Sequence, residues 1–220
     1  MDMDGVIVDS MHFHARSWQE AFRHFGFELP ADWIFEWEGI PFNQVIDLAL
    51  ERLNATLAPA DKLALHQRKY QHFRSIFQII PMPGIQSLVQ TFMEFGYRAV
   101  VATGSERAVA LQVLETLQLA NGFAAVVGGD DVTRGKPSPE PYLKAVERLG
   151  ADPAHCLVVE NAPAGIQAAR AAGLSCLAVA TYLPVSHLAA AGAVLPNLPA
   201  VEAWLRQEHS ISGGRGVWQL

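Results

Sequence analysis

The spacing of apolar residues divides this chain into two regimes. Between residues 11 and 77 it is helical. Phe13, Trp18, Ala21, Phe22 and Phe25 recur about every 3.6 positions, and the run stops at Gly26. Val45, Leu48 and Ala49, then Leu63 and Leu65, then Tyr70, Phe73 and Phe77 continue the pattern, with Pro59 separating helices. Pro81-Met82-Pro83-Gly84 is the clearest breaker cluster and marks a boundary. Beyond it, short apolar runs at 99–102, 124–127, 156–159 and 176–180 alternate with helical stretches at 85–94, 108–117, 142–149 and 166–172. This alternation predicts βαβ units and a parallel sheet. Strands buried on both faces explain why the runs are continuously apolar. Gly150, Gly173 and Gly192 fall where helices should stop. The Ser/Gly-rich segment 210–216 is expected to be flexible.

Composition narrows the class. With 220 residues, half of them hydrophobic, the chain can bury a core as one large domain or two small ones. Sixteen Lys and Arg against 22 Asp and Glu give a net charge of −6, which argues against nucleic acid as a partner. A small phosphorylated ligand stays open, because a local pocket can differ from the net charge. Cys156 and Cys176 sit in apolar runs and are expected as buried thiols, not as a disulfide framework or zinc site. No apolar run reaches the ~20 residues of a membrane span. No basic segment followed by an apolar one opens the chain. The expectation is a soluble, cytoplasmic protein with no membrane partner.

Ligands of open parallel sheets bind beyond the carboxyl ends of the strands, so the residues there matter most. Asp2 and Asp4 share a face if Met1–Asp4 ends a strand. Two carboxylates on one spot need a cation or a shared proton, which suits Mg²⁺ or a nucleophile paired with an acid/base. The other reading is a polar turn. Thr103-Gly104-Ser105 follows one strand run and precedes a helix, as a phosphate cradle or an ordinary N-cap would. Lys136, between Gly135 and Pro137, lies in an extended segment and is either a point charge for phosphate or a solvated loop residue. Glu160-Asn161 places two oxygen donors at a strand end, as metal ligands or as a capped turn.

Taken in order, these segments resemble the haloacid dehalogenase-like hydrolase superfamily. The likeness is to the branch with an inserted helical cap that contains β-phosphoglucomutase and small sugar-phosphate phosphatases. It extends from Met1 to about Leu205. It implies an α/β fold: a Rossmann-like parallel sheet core flanked by helices, formed by residues 1–10 and 82–220, with a small helical cap at 11–81. It also implies a phosphoric monoester hydrolase acting on a small phosphorylated metabolite, as a monomer or homodimer. By that resemblance Asp2 is the nucleophile that forms an aspartyl-phosphate, and Asp4 is the acid/base. Thr103, Gly104, Ser105 and Lys136 hold the phosphoryl group, with Thr103 and Lys136 counted as catalytic. Mg²⁺ is held by Asp2, the Asp4 carbonyl, Glu160 and Asn161.

Two departures stand out. Asn161 occupies a position that is acidic in many members, which predicts weaker metal affinity without loss of activity. Only Met1 precedes Asp2, where members carry several apolar residues, so a misassigned or truncated start is expected. In the cap, His14 aligns with a histidine near the hinge, as a substrate contact or a buried hinge contact. Glu38-Gly39-Ile40-Pro41 resembles the specificity loop, with Gly39 and Phe42 expected at the substrate. Phe42 replaces the arginine with which mutases grip a second phosphate, which favours a phosphatase over a β-phosphoglucomutase-like transferase. A metal-independent dehalogenase and an inactive binding protein are the remaining alternatives. Lys69, His72 and Arg74 could reach a substrate, but read first as a solvated helical face. Trp18, Trp33, Trp37 and Phe73 read as cap core.

Overall fold

The computed structural model describes residues 1–212. Helices α1 (Met11–His24), α2 (Ala31–Glu36), α3 (Phe42–Arg52) and α4 (Pro59–Ile76) come first. They are followed by α5 (Ile85–Glu94), β1 (Ala99–Ala102), α6 (Arg107–Thr116), β2 (Phe123–Val127) and α7 (Glu140–Leu149). The chain continues through β3 (Leu157–Glu160), α8 (Pro163–Ala171), β4 (Ser175–Val179), α9 (Val185–Leu188), β5 (Ala193–Leu195) and α10 (Leu198–Ser212). All strand pairing is parallel: β1 with β2, and β3 with β4 and β5. The short β5 and the helices α9 and α10 add to the elements the sequence predicts.

The first residues join the two groups of strands. Met1 N donates to Val100 O and Ala102 N donates to Met1 O, each at 2.9 Å, while Asp2 N donates to Val159 O at 2.9 Å. Met1–Asp4 is thus hydrogen-bonded between β1 and β3, although it does not form the regular strand end expected. It makes one bridge, from Asp4 to Val8.

Alternate strand residues enter two cores. Val101, Val159, Leu177 and Val179 pack with Met3, Leu88, Val113 and Val201 on one face. Val100, Ala102, Val158, Cys176 and Ala178 pack with Tyr142 and Ile166 on the other. Burial on both faces is the physical reason for the uninterrupted apolar runs. A third core, formed by Trp18, Phe22, Ile34, Trp37, Ile46, Leu50 and Leu65, holds α1–α4 together. Two adjacent crossings connect this helical layer to the sheet, with Asp9 N donating to Ile80 O at 2.8 Å and Met82 N to Ile7 O at 3.0 Å.

Several expectations change. Cys156 precedes β3 and is only half-buried, whereas Cys176 is buried as expected. Residues 210–212 belong to α10, not to a flexible tail, and 213–216 lie outside the described residues. Among the described residues no helix is long and apolar enough to cross a membrane.

Candidate active site

A cavity of about 840 Å³ opens between the helical layer and the strand ends, and Asp2, Asp4, His14, Gly39, Phe42, Thr103, Gly104, Ser105, Lys136 and Glu160 all line it. Residues 134 positions apart in sequence meet here because β1, the 1–4 segment and β3 end at the same edge.

Lys136 is the centre of one network. Its side chain is 2 % exposed, so the solvated-loop reading does not hold. Its ammonium donates to Asp2 Oδ1 at 2.5 Å and to Glu160 Oε1 at 2.7 Å. Burial opposes its charge, but the Asp2 and Glu160 carboxylates outweigh burial and raise its pKa well above the usual range. Glu160 Oε1 also accepts from Tyr142 OH at 2.8 Å, and Oε2 accepts from the Asn161 and Ala162 backbone N–H groups at 2.7 and 2.9 Å. Four donors therefore occupy both oxygens of Glu160. Rather than standing free as a ligand, it anchors Lys136 and the turn into α8. Gly165 is required behind it, because a Cβ there would stand 1.6 Å from Oε1. Burial raises the Asp2 carboxyl to about 7, with Lys136 opposing and Glu160 and Asp4 adding to the rise.

Asp4 faces a different set of groups. Ser10 Oγ donates to Oδ1 at 2.5 Å, and Thr103 Oγ1 and Ser105 Oγ donate to Oδ2 at 3.4 and 3.3 Å. The N-cap of α6 is Glu106, so neither hydroxyl serves as the ordinary helix cap. Burial alone would raise the Asp4 carboxyl; hydrogen bonds and charge from His14, with hydrogen bonds from Ser10 and Ser105, hold it at about 2. His14 Nε2 lies 3.5 Å from Asp4 Oδ1. Burial and the nearby Lys69 lower the His14 pKa.

Lys69 corrects the solvated-face expectation. It lines the cavity, its Nζ lies 3.1 Å from His14 Nδ1, and it sits 4.9 Å from the Phe73 ring centre. Burial brings its pKa down to about 8. The stripe Leu65–Lys69–Phe73, with four-residue steps on α4, is the signal that could have found it. Phe73 is not simply core either, since it stacks on His14 at 4.2 Å between ring centres. Phe42 stands at the cavity, half-exposed, stacked on His66 at 3.5 Å.

Glu38, which the sequence places only in the loop resembling the specificity loop, stands at the site. It is 6 % exposed, and Asn161 Nδ2 donates to its Oε2 at 2.8 Å. Burial, then Asp2 and Glu160, push its pKa well above the usual carboxylate range. Its Oε1 and Asn161 Oδ1 are buried with no hydrogen-bond partner.

The site thus joins paired acids, a buried lysine and hydroxyls at one edge of a parallel α/β sheet, under a helical layer. The chain matches the haloacid dehalogenase-like hydrolase family over residues 1–179 and belongs to it. It is 35 % identical over 181 residues to fructose-1-phosphate phosphatase YqaB of Escherichia coli, covering 81 % of this chain and 93 % of that one. It is 29 % identical over 202 residues to validoxylamine A 7'-phosphate phosphatase of Streptomyces hygroscopicus subsp. limoneus, covering 91 % and 93 %. A solved structure of a candidate β-phosphoglucomutase from Bacteroides vulgatus superposes with a TM-score of 0.85 at 31 % identity, covering 99 % of this chain and 88 % of that one. The protein is an enzyme of this family, a phosphoric monoester hydrolase resembling sugar-phosphate phosphatases.

Proposed function

We propose that the protein is a Mg²⁺-dependent phosphatase that hydrolyses a small phosphorylated metabolite, such as a sugar phosphate, through an aspartyl-phosphate on Asp2. The observation that carries this is the separation of the two acids: Asp2 is bound to Lys136, while Asp4 is bound to hydroxyls and faces His14. Two neighbouring carboxylates in different surroundings can take different roles.

The oxygen of Asp2 not held by Lys136 attacks phosphorus as the bond to the leaving oxygen breaks. Asp4 gives that oxygen a proton, then takes one from the water that cleaves the aspartyl-phosphate. Asp4 is ionised at rest, so the proton it gives is first taken up from solvent or from an entering phosphate monoanion, while the phosphate charge raises its pKa toward the acid role. Thr103, Ser105 and Lys136 position the phosphoryl oxygens. Residues 11–81 act as the cap that excludes water.

The residues fit a hard cation. The Asp2 and Glu160 carboxylates meet at Lys136, Glu38 interacts with Asp2, Asp4 and Glu160, and two buried oxygens have no partner. Among the described residues no group of three or more His, Cys, Asp or Glu forms a cage. The donor set is therefore mixed: Asp2, the Asp4 carbonyl and Asn161. That suits Mg²⁺, which keeps several waters. When bound, Mg²⁺ neutralises phosphoryl charge and orients it for in-line attack.

The test is hydrolysis across a panel of sugar phosphates, with and without EDTA. Expected results are metal-dependent phosphate release and complete loss of turnover in Asp2→Asn. Full turnover in Asp2→Asn would overturn the assignment.

A further inference from the structure

Resting on this metal-dependent phosphatase reading, we propose that Glu38 supplies from the cap the carboxylate that the core lacks at position 161, so that the cation site is complete only with the cap closed.

Position 161 carries an amide, which leaves the strand-end donor set one negative charge short. The nearest compensation comes from outside the core. Glu38 belongs to the loop between α2 and α3, and this loop is seated on the core. A Cβ at Gly39 would stand 3.4 Å from Lys136 Cδ, and one at Gly135 would stand 3.3 Å from Pro41 Cγ. The loop therefore delivers Glu38 to Asn161, where Nδ2 meets Oε2 at 2.8 Å.

The unpartnered atoms identify what is missing. Glu38 Oε1 and Asn161 Oδ1 belong to this one bonded pair, and both are buried without a partner. Two acceptors without a donor suit a hard cation, and leaving them unmatched is costly. Asn161 also packs on the turn after Asp4, since a Cβ at Gly5 would stand 2.2 Å from Nδ2. This brings the acid–amide pair next to Asp2 and Asp4.

The consequence is a metal affinity coupled to the seating of the α2–α3 loop, with the charge moved from the strand end to the cap. Mg²⁺ affinity is measured by titration calorimetry without substrate on the full-length wild type, Glu38→Gln, Asn161→Asp and the double variant, each checked for native circular dichroism. Glu38→Gln keeps the Asn161 contact and is expected to weaken binding at least tenfold. Asn161→Asp is expected to tighten it, and to restore wild-type affinity in the Glu38→Gln background. Equal affinity in wild type and Glu38→Gln overturns the inference alone. No binding in any of the four overturns the metal reading and the inference together. The expected affinity pattern without phosphate release by the wild type would overturn only the phosphatase assignment.

Discussion

The Lys69 ammonium stands 3.1 Å from His14 Nδ1, and His14 Nε2 in turn stands 3.5 Å from Asp4 Oδ1. A cation from α4 thus reaches Asp4 of the core through one imidazole. Lys69→Met should lower kcat/KM roughly ten- to hundredfold, the scale of a lost hydrogen bond to a charged group. Because burial holds Lys69 at about 8, its charge is present below that pH and lost above it. The wild-type kcat/KM profile should therefore fall as pH rises through about 8. If the same alkaline limb persists in Lys69→Met, Lys69 does not set it.

Ser10 and Asp4 give a prediction in acid. The folded Asp4 carboxyl lies at about 2, below its ordinary 3.8. A depressed acid stabilises the fold above the unfolded value, and that stability is lost as pH falls toward 2; the shift corresponds to about 2 kcal/mol. Ser10→Ala removes a donor to Oδ1 and should cost about 1.5–3 kcal/mol at pH 7. Urea titrations should show the difference from wild type shrinking between pH 4 and pH 2. A difference independent of pH would show that Ser10 acts through packing alone.

Gly165→Ala tests Glu160 as an anchor. The new methyl would collide with Oε1, which Lys136 and Tyr142 both bind. Overpacking of this kind costs roughly 1–3 kcal/mol. The expected outcome is a lower urea midpoint together with a collapse in kcat, since Lys136 loses its second carboxylate. Unchanged kcat would separate the Glu160 anchor from the chemistry.

Phe42→Arg tests the phosphatase preference. Phe42 borders the cavity on a half-exposed, stacked ring, where a guanidinium could reach a second phosphate. The variant should bind a sugar bisphosphate more tightly than wild type in a competition assay. No change would show that this position does not reach the distal end of the substrate.

Local pattern was enough for four of the five strands, most helices and the order of the chemical segments. Apolar period and breaker residues are properties of a few consecutive positions; Thr103, Lys136 and Glu160 fall directly after apolar runs or breakers, and Asp2 and Asp4 share a face by their two-residue spacing. The expected charge deficit at Asn161 was equally legible, because it is the identity of one residue. Its compensation was not. Glu38 lies 123 positions away and becomes a neighbour of Asn161 only when the α2–α3 loop seats on Gly135 and Lys136. Lys69 looked solvated because a lysine's sequence neighbours do not report what its helix packs against. Burial against His14 and Phe73 made it a site residue and lowered its pKa. The sequence alone determined which candidate side chains stand at the strand ends of the core. The tertiary structure decided how they are charged and which residues the cap adds, because burial and through-space charge depend on contacts between distant parts of the chain.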